Sequence, residues 1–247
     1  MPMSHSGSKA ARVTPRERNL RLVEEASTQP HIERRSETLN RVVNVSIAVI
    51  ALILLSPVFL LIALLVKFTS RGPVFYSQTR VGIDRRAGRS TAPSHRRIQD
   101  LGGQIFTIFK FRTMHVNAEH LSGAVWATKE DPRVTSVGRL LRKYRLDELP
   151  QIINVLTGDM NIVGPRPERP SIFMKLRKDI THYAYRQRAK PGITGLAQIN
   201  QHYDSTVEDV KNKLRFDLIY LSRQGLLEDF KIMLKTAPVI LFKRGGW

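Results

Sequence analysis

Two adjacent carboxylates, Asp147 and Glu148, stand just ahead of an apolar run from Leu149 to Leu156, and a short polar turn later Arg166 is held between Pro165 and Pro167. An ionised carboxylate that meets a phosphoryl group can attack it and form an acyl phosphate. An acidic neighbour can hold Mg2+, an oxygen-seeking ion that bridges carboxylates to substrate phosphates. Guanidinium pairs bidentately with phosphate, and flanking prolines fix the backbone on either side of it, which lowers its ordering cost. The chemistry these residues suit is the handling of a phosphate. Asp147 is then the candidate nucleophile, and Asp147 and Glu148 are the candidate Mg2+ ligands.

Each feature also has a plainer reading. An Asp before an apolar helix, with Pro150 in its first turn, is an N-cap. The two readings of Asp147 are compatible, because a helix start also stabilises anions. Lys110 and Arg112 lie among Phe109 and Phe111, and strand alternation puts both cations on one face, as phosphate binders or as a solvated strand face. Asp217 and Asp229 sit in helical stretches that are otherwise apolar or basic, where ion pairing and contact with substrate or metal are equally open. The histidines lack metal-ligand spacing, and neither a phosphate-binding Gly-x-x-x-x-Gly-Lys loop nor a dinucleotide fingerprint is present. The chain has no cysteine, which excludes disulfides and thiolate metal sites and fits a reducing compartment.

The elements that must position these groups read as α/β, mainly helical, with a small β element. Residues 1–35 are polar and basic and predict a disordered arm. Arg71 to Gln78 begins as a turn and continues as a strand, and Gln104 to Met114, rich in β-branched and aromatic residues, predicts a second. Between them Arg80 to Arg97 carries six arginines and predicts an exposed loop near anionic headgroups or a polyphosphate. Helical patterns cover 136–145, 149–156 (ended by Gly158-Asp159), 171–188 (ended by Pro191-Gly192), 205–222 and 226–242. Gly192 to Gly195 reads as a turn. The Lys243-Arg244 pair and Trp247 suit a membrane interface, which marks the last helix as amphipathic and interfacial.

Val42 to Val66 is a run of about 25 residues without a charge, roughly 37 Å as a helix and enough to cross a hydrocarbon core of about 30 Å. It starts too late and runs too long for a cleavable signal peptide. Arg34, Arg35 and Arg41 precede it while Lys67, Arg71 and Arg80 follow, so the positive-inside tendency holds both ends in the cytoplasm. Ser56-Pro57 near its middle predicts a helix–break–helix that dips into the bilayer and returns, in place of an ordinary kinked span. The expected organisation is therefore a basic arm (1–35), a re-entrant membrane helix (42–66) broken at Ser56-Pro57, and a cytoplasmic domain (70–247). Forty Lys+Arg against 21 Asp+Glu give a net charge of +19, which attracts nucleic acid, anionic lipid or polyphosphate alike.

Six motifs occur in order: Lys110-Phe-Arg-Thr-Met114, Asp131-Pro-Arg-Val-Thr135, Leu146-Asp-Glu-Leu-Pro-Gln151, Gly158-Asp-Met160, Gly164-Pro-Arg-Pro167 and Pro191-Gly-Ile-Thr-Gly-Leu-Ala-Gln198. Together, from about Arg41 to Phe242, the chain resembles the bacterial sugar transferase family, the monotopic phosphoglycosyl transferases that prime glycan assembly on polyprenyl phosphate. The resemblance implies that Asp147 takes the phosphosugar from a nucleotide diphosphate sugar (a UDP-sugar), that Glu148 helps hold Mg2+, and that Arg166 binds phosphate. It places Lys110, Asp217 and Asp229 at positions needed for activity, and Ser56-Pro57 at the break of the family's re-entrant helix. It implies undecaprenyl phosphate as acceptor, the bacterial inner membrane as location with the domain on its cytoplasmic face, and the priming of exopolysaccharide, capsule, O-antigen or glycoconjugate synthesis. Inner-membrane lipid is an implied partner, and a homo-oligomer stays open.

The chain departs from the family pattern in a longer basic insertion around Arg85 to Arg97, in Asn161 where serine is commoner, and in Tyr144-Arg145 before the dyad. Without a large multi-span N-terminal region it is expected to be the minimal catalytic form. Two other classes compete with the enzyme reading. A membrane-anchored nucleic-acid or anionic-lipid binder needs stacking aromatics or a recognition helix, and 7% aromatics without such a motif speaks against nucleic acid. A structural subunit of a glycan export complex, with the dyad merely capping a helix, is the other.

Overall fold

The computed structural model describes residues 36–85, 101–116, 118, 131–201 and 206–241. The expected basic arm, the arginines from Arg86 to Arg97, and the Lys243-Arg244 pair with Trp247 lie outside the described residues.

Helix α1 runs from Glu37 to Thr69, capped by Ser36, and is continuous through Ser56-Pro57 where the sequence predicted a break. Proline has no N–H to give the carbonyl four residues back. Ser56 Oγ donates to that carbonyl, Ile53 O, at 2.8 Å, which restores the missing bond. Among the described residues α1 is the one helix long and apolar enough to cross a membrane. Its inner stripe (Asn44, Ala48, Leu52, Leu55, Phe59, Ile62 and Val66) recurs every three or four residues and packs on the body of the protein along both halves. Its outer face leaves Ile53, Leu54, Leu60 and Phe68 exposed. At the first end Arg41 donates to the Val155 and Leu156 carbonyls, and Asn44 Oδ1 accepts from Ile162 N at 2.7 Å.

Strands β1 (Phe75–Val81) and β2 (Ile105–Phe111) pair antiparallel, Phe75 opposite Phe111 and Val81 opposite Ile105. Helix α2 (Ser136–Lys143) follows, its N-cap Thr135 accepting from Gly138 N at 2.9 Å. A 3-10 turn over Leu146–Glu148 leads into α3 (Gln151–Thr157). Gly158 ends α3 at φ 91°, the left-handed conformation in which its N–H reaches back to the Asn154 and Val155 carbonyls.

Strands β3 (Asn161–Val163) and β4 (Gly192–Thr194) form a second, parallel pair, so the Gly192-Ile-Thr-Gly195 segment is a strand entry and not the expected turn. Gly192 permits it: a Cβ there would lie 2.0 Å from Gly164 N. Between these strands the helix expected over 171–188 divides. Helix α4 (Pro170–Asp179) stops at Ile180, His182 takes φ 65°, and a 3-10 turn covers Tyr183–Arg188. Helices α5 (Leu196–Asn200), α6 (Val207–Arg223) and α7 (Leu226–Leu241) complete the described chain, α6 opening with a Thr206–Asp209 capping box. The largest buried cluster joins Val163, Phe173, Tyr183, Leu218 and Ile232 beneath β3 and β4. Two others lie between α1 and the face formed by β2, α2 and α3.

Candidate active site

Arg145 turns the chain sharply at φ 53°, and the following 3-10 turn carries Asp147 and Glu148 inward until each is 7% exposed. Asp147 does not cap a helix. The N-cap of α3 is Pro150 and receives no side-chain hydrogen bond, and Asp147 lies inside the preceding turn. The capping expectation is therefore corrected, and the carboxylate is left for another purpose.

Glu148 is held by two cations. Lys110 Nζ reaches Oε1 at 2.7 Å, and Arg166 closes on both oxygens with its fork, Nη1 to Oε2 at 2.9 Å and Nη2 to Oε1. Burial opposes the Glu148 charge, but Arg166 and Lys110 outweigh it and hold its carboxyl well below the usual range. Lys110 is pulled down by burial against the opposing charge of Glu148. Asp147 differs from its neighbour. Its side chain makes no hydrogen bond among the described residues, and burial pushes its carboxyl up while Lys110, Arg142 and Arg166 pull the other way. The site thus pairs a locked carboxylate with an uncommitted one, facing cations that favour a phosphate.

Fully buried Asn154 on α3 places Lys110. Its Oδ1 accepts from Phe109 N at 3.2 Å and its Nδ2 donates to Thr107 O at 2.7 Å, so one amide serves the edge of β2 that faces away from β1. The strand carrying Lys110 is thereby registered against the helix that follows Glu148. A polar residue inside the mostly apolar run 149–156 is the signal for Asn154 in the sequence. Arg142 anchors Nε on Thr113 Oγ1 at 2.9 Å, and its charge acts on Asp147.

The structure does not bring Arg112 to the dyad. Strand β2 ends at Phe111, and Arg112 Nη2 turns to Ser70 O and Ser70 Oγ, each at 2.7 Å, at the carbonyl end of α1 where a cation is favoured. The expectation that alternation sets Lys110 and Arg112 on one working face is corrected accordingly. Asp217 and Asp229 are also away from the dyad. Asp217 Oδ2 lies 2.8 Å from Arg186 Nη2, and Asp229 Oδ1 lies 2.9 Å from Tyr220 Oη. Among the described residues no three His, Asp or Glu side chains gather as a metal site.

Glu168, directly after the Arg166 turn, completes the electrostatics. Burial raises its carboxyl, but Lys213 at 2.8 Å and Arg186 bring it down to about 2. A depressed pKa adds stability that is present above the ordinary glutamate range and is lost as pH falls toward 2. The linkage is about 3 kcal/mol. Glu168→Gln is expected to melt lower than wild type at pH 7, with the gap closing as melts are taken from pH 5 to pH 2.5. A gap that does not change with pH would remove this assignment.

The chain matches the bacterial sugar transferase family over residues 35–243. It is 43% identical over 203 residues to a UDP-glucose:undecaprenyl-phosphate glucose-1-phosphate transferase of Xanthomonas campestris pv. campestris, covering 81% of this chain and 38% of that protein. It is 39% identical to the UDP-N-acetylgalactosamine-undecaprenyl-phosphate N-acetylgalactosaminephosphotransferase of Aeromonas hydrophila, covering 82% of this chain and 44% of that one. The exopolysaccharide production protein ExoY of Rhizobium meliloti is 36% identical, with 81% of this chain and 84% of its own covered. The chain thus spans less than half the length of the first two relatives and most of the third.

Proposed function

Because this chain belongs to the bacterial sugar transferase family, we propose that it moves a sugar-1-phosphate from a UDP-sugar to undecaprenyl phosphate through a covalent intermediate on Asp147. The observation that carries the reading is the asymmetry of the dyad: Glu148 fastened by Lys110 and Arg166, Asp147 buried beside it with no hydrogen bond among the described residues. Names of relatives point to the same substrate classes.

In the first step an Asp147 oxygen attacks the phosphorus that bears the sugar. A P–O bond to the nucleotide breaks, and UMP leaves with the electron pair. In the second, an oxygen of the lipid phosphate attacks that phosphorus, and the bond to Asp147 breaks to restore the carboxylate. Lys110, Arg142 and Arg166 supply fixed positive charge where phosphoryl oxygens gather. Two adjacent carboxylates, with no third acidic or histidine ligand beside them among the described residues, suit Mg2+, which is commonly held by one or two carboxylates together with substrate phosphates. Asp147 and Glu148 would hold it, and its chemistry would be to neutralise phosphate charge.

The membrane side of the reading is that the unbroken α1 lies against the cytoplasmic leaflet of the inner membrane by its exposed outer face. Supporting it, both halves of α1 pack along one body, which a helix rising straight out of that body could not do. The exposed outer face then meets acyl chains, and the site lies where lipid phosphate and soluble nucleotide sugar can both reach it. The product would prime exopolysaccharide or a related glycan.

The test is incubation of the purified protein with radiolabelled UDP-sugars, Mg2+ and undecaprenyl phosphate. A lipid-linked phosphosugar with release of UMP is expected. Absence of product with every sugar would favour a structural role in a glycan export complex. Topology is checked separately with single cysteines at positions 30 and 75, both expected to label only from the cytoplasmic side. Labelling of position 30 from outside would mean a full span.

A further inference from the structure

We propose that Arg186, braced by Asp217, is a positioning residue for Arg166, and that Asp217 and Asp229 serve the reaction through the Arg166 loop and not by touching substrate or metal. This rests on the transferase reading above.

The loop from Val163 to Glu168 contains Pro165 and Pro167, which have no N–H to give. It therefore depends on donors from elsewhere to fix its carbonyls. Pro165 O accepts from Gly192 N at 3.0 Å, Arg166 O from Arg186 Nη2 at 2.8 Å, Pro167 O from Arg80 Nη1 at 3.0 Å, and Glu168 O from Val81 N at 2.9 Å. Tyr220 Oη sits between Val163 O at 3.2 Å and Asp229 Oδ1 at 2.9 Å. The residue whose fork holds Glu148 is thus fastened through its own carbonyl by a second arginine.

Arg186 is 1% exposed, and a charge so placed needs compensation. Asp217 supplies it at 2.8 Å and Glu168 at 3.5 Å, while Tyr183 Oη accepts from Nη1 at 2.7 Å and the tyrosine ring lies 5.2 Å from the guanidinium. Asp217 and Asp229, 2% and 5% exposed, are enclosed by these partners, so neither is placed to meet a phosphate directly. What they can do is keep Arg186 and Tyr220 aimed at the loop. The interruption of the expected helix at His182 makes this possible, because it turns Arg186 inward.

The experiment is a double-mutant cycle, in which residues that act through one another fail to add. Asp217→Asn is expected to lower kcat about 30-fold, with KM for UDP-sugar and the Mg2+ half-saturation changed less than about 2-fold. In an Arg166→Ala background the same substitution should cost less than about 3-fold, while in a Lys110→Ala background it keeps most of its effect. A full loss on top of Arg166→Ala, or a Mg2+ requirement raised more than about 5-fold, overturns the proposal. If Asp217→Asn does not fold, Tyr220→Phe is carried through the same cycle. Hydrogen exchange gives a readout independent of activity. In Arg186→Lys the segment 163–169 should exchange faster while β1 and β2 keep wild-type protection, and unchanged exchange overturns the proposal. A wild-type protein that makes no lipid product would instead overturn the reaction, and the exchange result would still decide the role of Arg186.

Discussion

Asp147→Asn is expected to abolish the lipid-linked product, leaving a rate at least about 10^4-fold below wild type, without lowering the melting temperature. An amide has the shape of the carboxylate but cannot attack phosphorus to form a labile intermediate. The stability half of the expectation comes from the sign of the Asp147 shift. Burial pushes its carboxyl up, so at neutral pH the folded state carries that charge less willingly than the unfolded chain does. Removing it should leave the protein as stable or slightly more so. Radiolabelled transfer and a thermal melt on the same preparation check both parts. Transfer retained within tenfold would exclude Asp147 as nucleophile, and a collapsed melt would mean that its role is structural.

Glu148→Ala should do the opposite to stability. Its carboxylate sits between Lys110 and Arg166, at 2.7 Å and 2.9 Å, and its removal leaves two half-buried cations facing each other. Losing charge-assisted hydrogen bonds to these cations costs about 2–3 kcal/mol, which for a chain of this size corresponds to a melting temperature lower by roughly 5 to 10 °C. Transfer should fall about 10^3-fold, since Lys110 and Arg166 lose the anchor that orients them. The double variant Glu148→Gln with Lys110→Met is expected to recover part of the stability and none of the activity. If Glu148→Ala melts like wild type, the Lys110–Glu148–Arg166 triad does not carry the weight assigned to it. The two neighbouring carboxylates thus have opposite signatures, one dispensable for folding and required for chemistry, the other required for both.

Lys110, Asp147, Glu148 and Arg166 stand out in the sequence in three short motifs, because each motif couples a residue type to a local backbone that limits where its side chain can go, and the structure brings them together. Local reading failed where a single backbone angle or side-chain hydrogen bond decided the outcome. Asp147 reads as a helix cap until Arg145 takes a left-handed turn and the next residues form a 3-10 turn. Ser56-Pro57 reads as a break until the serine hydroxyl satisfies the carbonyl that the proline leaves open. Arg186 was hidden in what read as one basic helix, and Asn154 in what read as an apolar one.

Sequence alone determined the apolar segment, the strands around Phe75–Val81 and Ile105–Phe111, most of the helices, and the carboxylate–arginine chemistry. These follow from periodicity and from side-chain chemistry, both of which act over a few residues. Only the tertiary structure decided that Glu148 is the locked partner and Asp147 the uncommitted one, that Arg112 seals α1 and stays away from the dyad, and that Asp217 and Asp229 stand behind the Arg166 loop. The reason is that a charge in the interior takes its role from the charges packed against it. Lys110, Arg166 and Arg186 reach their partners from 38, 18 and 31 residues away along the chain.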